Sequence, residues 1–120
     1  MIDCIIRGIF EKKGHDIVCI DLSHIENAVC DCFVICHGES NIQVNAIAES
    51  VAKETKKEFR VRPLSIEGMN NAEWVLLDYG QTVVHIFQKH VRMRYKLEEL
   101  WGDGKIAQVE EPILSVKRDE

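Results

Sequence analysis

The 120-residue chain has no apolar run approaching the roughly 20 residues that a membrane-spanning helix requires. Its opening, Met1-Ile2-Asp3-Cys4, lacks a basic run leading into an apolar block, so no secretory leader is expected. It has no CxxC pair among its five cysteines, and an odd count argues against a disulfide framework. It has no P-loop, no GxGxxG and no internal repeat. Nor does it have a basic surplus: 15 Lys and Arg stand against 20 Asp and Glu, a net charge of -5. Proteins that hold nucleic acid through phosphates usually carry the opposite balance, because counterion release supplies much of the affinity. The charge tilts the expectation away from direct nucleic-acid readout and towards a basic protein partner.

What is present is ordinary for one globular domain: 46% apolar residues and 29% charged. A chain of this length buries about two thirds of its unfolded surface, enough for a core without staples. A soluble, cytoplasmic protein is the expectation. Cys30, Cys32 and Cys36 share a parity, which on one strand puts them on one face. With His37 they could be thiolate ligands. Tetrahedral sites draw their ligands from turns, however, and three small apolar side chains in a reduced core is the stronger reading. No metal and no cofactor is expected.

Ile2, Ile5, Ile6 and Ile9 fall at helical spacing, and Lys12-Lys13-Gly14 reads as a cationic last turn with a left-handed stop, which predicts a helix over 2–13. Asp16 to Leu22 and Asp31 to Cys36 read as strands, the second continuous enough to be central. Ser40-Asn41-Ile42-Gln43 has capping-box spacing, and Val44, Ile47, Ala48, Val51, Ala52 and Thr55 follow at helical intervals, predicting a helix over 41–58. Arg60 to Ile66 suits an edge strand because Pro63 cannot donate to a ladder. Glu73–Asp78 and Thr82–Phe87 form a hairpin around Tyr79-Gly80. Met93, Leu97, Leu100 and Trp101 mark a helix over 89–101, and the charged segment 103–120 reads as a flexible tail beyond a single domain over 1–102. The order α-β-β-α-β-β-β-α predicts an α/β (α+β) domain with a mixed five-stranded sheet, in which 31–66 is a parallel crossover and the last pair is antiparallel.

If the hairpin loop is even, Val75, Leu77, Val84 and Ile86 share one face and Trp74, Leu76, Asp78, Val83, His85 and Phe87 the other. The first set is aliphatic and suits packing under helices. The second mixes aromatics with a carboxylate and an imidazole, the composition of a docking surface with an aromatic centre and polar surroundings. The alternative is that another helix covers this face and His85 is a satisfied core histidine. The pattern leaves both open.

The runs Asp16–Asp21, Asp31–Cys36, Glu73-Trp74-Val75-Leu76-Leu77-Asp78-Tyr79-Gly80, Val84-His85-Ile86-Phe87 and Tyr95-Lys96-Leu97-Glu98-Glu99-Leu100-Trp101 stand in an order that resembles the ribosomal silencing factor (iojap-like) family over about residues 1–102. Val29, where the family commonly has Thr, and the turn His37-Gly38-Glu39-Ser40 depart from its pattern. The resemblance implies a nucleotidyltransferase-like fold, often dimeric, that binds large-subunit ribosomal protein L-fourteen, keeps the small subunit from joining and represses translation. It implies no catalysis. Carried onto this chain it makes Trp74, Leu76, Asp78, Tyr79 and His85 contact residues, with Phe87, Arg92 and Arg94 at the margin.

Two enzyme readings stand beside it. A nucleotidyltransferase needs paired carboxylates near a Gly-Ser turn, whereas Asp16 and Asp21 have opposite parity and Gly38-Glu39-Ser40 places an anion at the phosphate position. A hydrolase built from Cys36 or Ser40 with His37 meets the difficulty that adjacent strand residues point apart. A purely structural homodimer is the remaining alternative.

Overall fold

The structure is a computed structural model that describes residues 1–28, 30–100 and 105–108, without the side chains of 98, 100 and 105–108. Ten elements follow in order: α1 (Ile2–Glu11), β1 (His15–Asp21), β2 (Cys32–Gly38), α2 (Asn41–Phe59), β3 (Ser65–Glu67), β4 (Trp74–Asp78), β5 (Thr82–Gln88), α3 (Lys89–Tyr95), α4 (Leu97–Leu100) and β6 (Lys105–Gln108). Four of the five expected strands form near their expected bounds and the fifth only as Ser65–Glu67, in a mixed sheet flanked by helices. The sheet runs β3-β4-β5-β2-β1-β6, antiparallel except for the central β5–β2 pair.

Four expectations are corrected. The crossover from β2 through α2 does not deliver its partner at 60–66. The end of α2 consumes those residues: Arg60 turns left-handed (φ 58°) while its N–H and that of Val61 return to Lys56 and Thr55. Only Ser65–Glu67 is left to pair, with β4 at the sheet edge, and β5 takes the parallel place beside β2. The helix expected over 89–101 breaks at Lys96 (φ 48°) into α3 and α4, with Met93 exposed and Leu97 buried, while Trp101 lies outside the described residues. Lys105–Gln108, expected beyond the domain, extends the sheet along the open edge of β1, where unpaired backbone groups accept a short extended segment. The left-handed residue closing α1 is Lys13 (φ 60°) rather than Gly14.

The capping box is real. Ser40 Oγ accepts from Gln43 N at 3.1 Å, and Gln43 Oε1 accepts from Glu39 N at 2.7 Å. The same Gln43 side chain donates to the carbonyls of Lys12 and Lys13, so the start of α2 also fastens the end of α1. Side-chain alternation then divides the core. Ile5 and Ile9 of α1 and Val44, Ile47 and Val51 of α2 bury one sheet face with Cys32, Val34, Cys36, Val75, Leu77, Val84 and Ile86. The opposite face holds Val18, Ile20, Phe33, Ile35, Val83, Phe87, Val91 and Leu97. β2 is buried along its full length, as a central strand covered on both faces must be.

The two long helices approach closely at Gly8, where a Cβ would stand 2.9 Å from Val51 Cα and 3.2 Å from the Ser50 carbonyl. Ser50 Oγ uses this proximity to donate to the Gly8 carbonyl at 2.7 Å. Gly8→Ala is therefore expected to reverse the usual helix gain of about 1 kcal/mol from Gly→Ala and destabilise the protein by about 1–2 kcal/mol through overpacking. Thermal unfolding checks it: a midpoint about 5 °C lower is expected, and a higher midpoint would show that the crossing has room.

Candidate functional site

The hairpin is in the register that the even loop predicts: Trp74 faces Phe87, Leu76 faces His85 and Asp78 faces Val83. Tyr79 N–H bonds to the Thr82 carbonyl, leaving Gly80 and Gln81 as the turn. Gly80 takes φ 91°, a value that favours glycine, and its N–H donates to Asp78 Oδ1 at 2.7 Å. The aliphatic set lies under α1 and α2. The mixed set lies on the other face, where α3 and α4 provide the helical cover.

That cover is incomplete, and the candidate residues divide by depth. Phe87 is sealed at 0% exposure, and His85, at 5%, keeps only an edge that lines the adjoining groove. Trp74, Leu76 and Asp78 are half-buried. Tyr79 turns to the opposite core cluster, its hydroxyl 2.9 Å from Thr55 Oγ1. Arg94 is exposed. Arg92 is buried, which corrects its placing at the margin: its guanidinium reaches across the sheet end to the Asp16 carbonyl (2.7 Å) and to His37 Nδ1 (3.0 Å).

Trp74 joins the buried and exposed parts. Its ring lies 4.9 Å from that of Phe87, 4.9 Å from that of Tyr95 and 5.9 Å from that of His85, and Phe33 meets His85 edge-on at 4.6 Å. The indole N–H donates to His85 Nδ1 at 3.0 Å. An indole can only donate, so Nδ1 accepts and the neutral ring carries its proton on Nε2. That atom is buried and has no hydrogen-bond partner among the described residues. Burial pushes the His85 pKa down to about 4.

Phe33, Leu64, Leu76, Val83 and His85, with Glu67 and Asp78, line an open groove of about 360 Å³ beside this cluster. Leu64 is 77% exposed and Tyr95 49%. The sequence signals did not single out either residue. Leu64 was one apolar residue in a strand that largely does not form, and Tyr95 gained its place only when the chain turned at Lys96. Glu67 and Asp78 give this side of the groove a carboxylate character that suits a basic partner.

The alternative chemistries find little support. Burial pushes the Cys36 thiol up to about 12, opposite to what a nucleophile needs, and Cys36 faces the α1–α2 side while His37 bonds to Arg92. Ser40 is committed to capping α2. Among the described residues no group of three or more His, Cys, Asp or Glu side chains is placed to hold a metal ion. No helix among them is long and apolar enough to cross a membrane.

Residues 1–120 match the family model for ribosomal silencing factor during starvation. The chain is 42% identical over 100 residues to the ribosomal silencing factor of Bacillus subtilis, covering 83% of each. It is 30% identical over 114 residues to a mouse protein named mitochondrial assembly of ribosomal large subunit protein 1, covering 90% of this chain and 50% of that one. A crystal structure from Chromobacterium violaceum superposes with a TM-score of 0.78 at 35% identity, covering 91% of this chain and 89% of the other.

The His85 arrangement sets a pH dependence. An unfolded histidine has a pKa of about 6.5, so between there and the folded value the unfolded chain binds the extra proton and stability falls as pH falls. Chemical denaturation should show the wild type losing about 2 kcal/mol more than His85→Leu between about pH 7 and 4.5. Equal losses in the two proteins would show that His85 is not held neutral.

Proposed function

The chain belongs to the ribosomal silencing factor family, and from that premise we propose that it docks on the large ribosomal subunit through the β4–β5 face. The observation that carries this reading is the half-covered Trp74–Tyr95 pair, joined through His85 to a groove that Leu76 and exposed Leu64 line together with two carboxylates. Apolar side chains grouped in this way, with an aromatic at the centre, are the composition from which binding hot spots are made. The acidic side of the groove and the net charge of -5 complement a basic ribosomal protein.

On the family resemblance the protein contacted is L-fourteen of the large subunit. Occupying its surface keeps the small subunit from joining, and translation is repressed by exclusion without a chemical step. The site of action is the cytoplasm. Buried Phe87 and His85 serve from behind: they fix the Trp74 ring by a tilted ring contact and by the indole hydrogen bond, so that less rotamer freedom is lost when a partner covers it. A homodimer is a second reading. Ile42 at the start of α2 (78% exposed) and Phe59 at its end (46%) supply apolar surface on the helical side of the molecule, where two copies can meet.

Two substitutions test the docking face by co-sedimentation with isolated large subunits, with small subunits as the control. Trp74→Ala is expected to weaken association by about 2 kcal/mol, roughly thirtyfold. Leu64→Asp is expected to weaken it while leaving thermal stability unchanged, since Leu64 is 77% exposed. Wild-type co-sedimentation by both variants would remove this face from the interface. A folded Leu64→Asp protein keeps the test decisive if Trp74→Ala unfolds.

A further inference from the structure

A second concavity, of about 630 Å³, lies between α3–α4 and the end of the sheet. Lys89, Arg92 and Lys96 line it, together with His37 and the carboxylates of Asp16 and Glu99. The two lysines are exposed, whereas Arg92 is buried and anchored. His37 accepts from Arg92 at Nδ1 and adds no charge in that state, so three cations face two carboxylates. Among the lining side chains the surplus is one positive charge, with the Glu39 carboxylate outside the lining, 3.9 Å from His37 Nε2. The wall carrying the surplus is unlike the rest of the chain: residues 89–96, Lys-His-Val-Arg-Met-Arg-Tyr-Lys, hold four Lys or Arg and no acid in a protein that is acidic overall. Tyr95 of the same segment packs against Trp74, ring centres 4.9 Å apart, so a partner covering the aromatic cluster brings its surroundings up to this pocket.

We infer that the α3 pocket holds a backbone phosphate of RNA next to the protein docking face. The inference rests on the docking reading for its partner. A ribosomal surface offers basic proteins and anionic RNA, and a pocket with a positive surplus selects the second. The two exposed lysines supply movable ammonium groups for the phosphate, and the anchored Arg92 guanidinium behind them adds a fixed positive charge to the pocket wall. Phosphate contacts set register and orientation without reading sequence, so this site is compatible with an acidic chain that has no base-reading surface. It gives the docked protein a second point of attachment, and the attachment is sensitive to salt.

The test uses the full-length protein, the double variant Lys89→Gln/Lys96→Asn, and deproteinised large-subunit RNA as the probe. Asparagine is chosen at 96 because it tolerates the left-handed backbone there (φ 48°). Filter binding at about 50 and 200 mM salt should show wild type bound more tightly at low salt. The double variant should bind at least about fivefold more weakly, with a salt slope shallower by about one to two. Leu64→Asp should bind this RNA as wild type does, which separates the pocket from the docking face. Failure of whole subunits to bind wild type would defeat the docking reading alone, because naked RNA reports on the pocket directly. Equal RNA binding by wild type and the double variant, or no RNA binding by wild type at about 50 mM salt, would overturn the inference. So would saturable binding of inorganic phosphate without binding of the RNA, which would make the pocket a small-anion site.

Discussion

The sheet has two apolar faces and the chain has long helices for one of them. α1 and α2, of 10 and 19 residues, pack on the same side and seal it. The other side receives α3 and α4, of seven and four residues. Removing apolar surface from water is what holds the fold together, at about 25 cal/mol per Å², and this shortage of cover decides where the surface stays open. It stays open along β4, at Trp74 and Leu76, and beyond it at Leu64. The mixed composition of that face follows. Side chains beneath α3 and α4 behave as core, and those past their reach stay partly exposed among the described residues.

Trp74 lies on the boundary between these regimes. Its hydrogen bond to His85 binds the exposed ring to the buried one, and Phe87 and Tyr95 hold it from two further sides. The buried imidazole is costly to the fold, since it is desolvated and its Nε2–H lacks a partner among the described residues. A phenylalanine there would pack without that cost and would not orient the indole. The polar pair therefore trades some stability for a fixed ring at the point where a partner meets the protein. Arg92 makes a comparable trade at the far end of α3, where it ties the short helix to the start of β1 and leaves a cationic pocket beside it.

Much of this was legible from the residues alone. α2 was written in Ser40, Gln43 and the spacing from Val44 to Thr55, because capping and helical periodicity are local. The two hairpin faces followed from parity and the Gly80 turn. Depth was not legible. Parity says which way His85 and Phe87 point, and it does not say whether anything lies above them. That depended on where the chain went after Lys96, whose left-handed turn swings Leu97 onto the sheet. Arg92 reads as surface because a charged residue in a late helix usually is, and its partners Asp16 and His37 lie 76 and 55 positions away in the chain. β6 was missed for the same reason: four ordinary residues become a strand only because β1 has an open edge.

Hydrogen–deuterium exchange of the protein, free and bound to isolated large ribosomal subunits, tests the central claim most directly. An occupied β4–β5 face predicts slowed exchange in peptides spanning 64–80, while those from α1 are unchanged. Slowed exchange confined to α1 and α2, with 64–80 exchanging as in the free protein, would place the interface on the opposite side of the sheet and contradict the account.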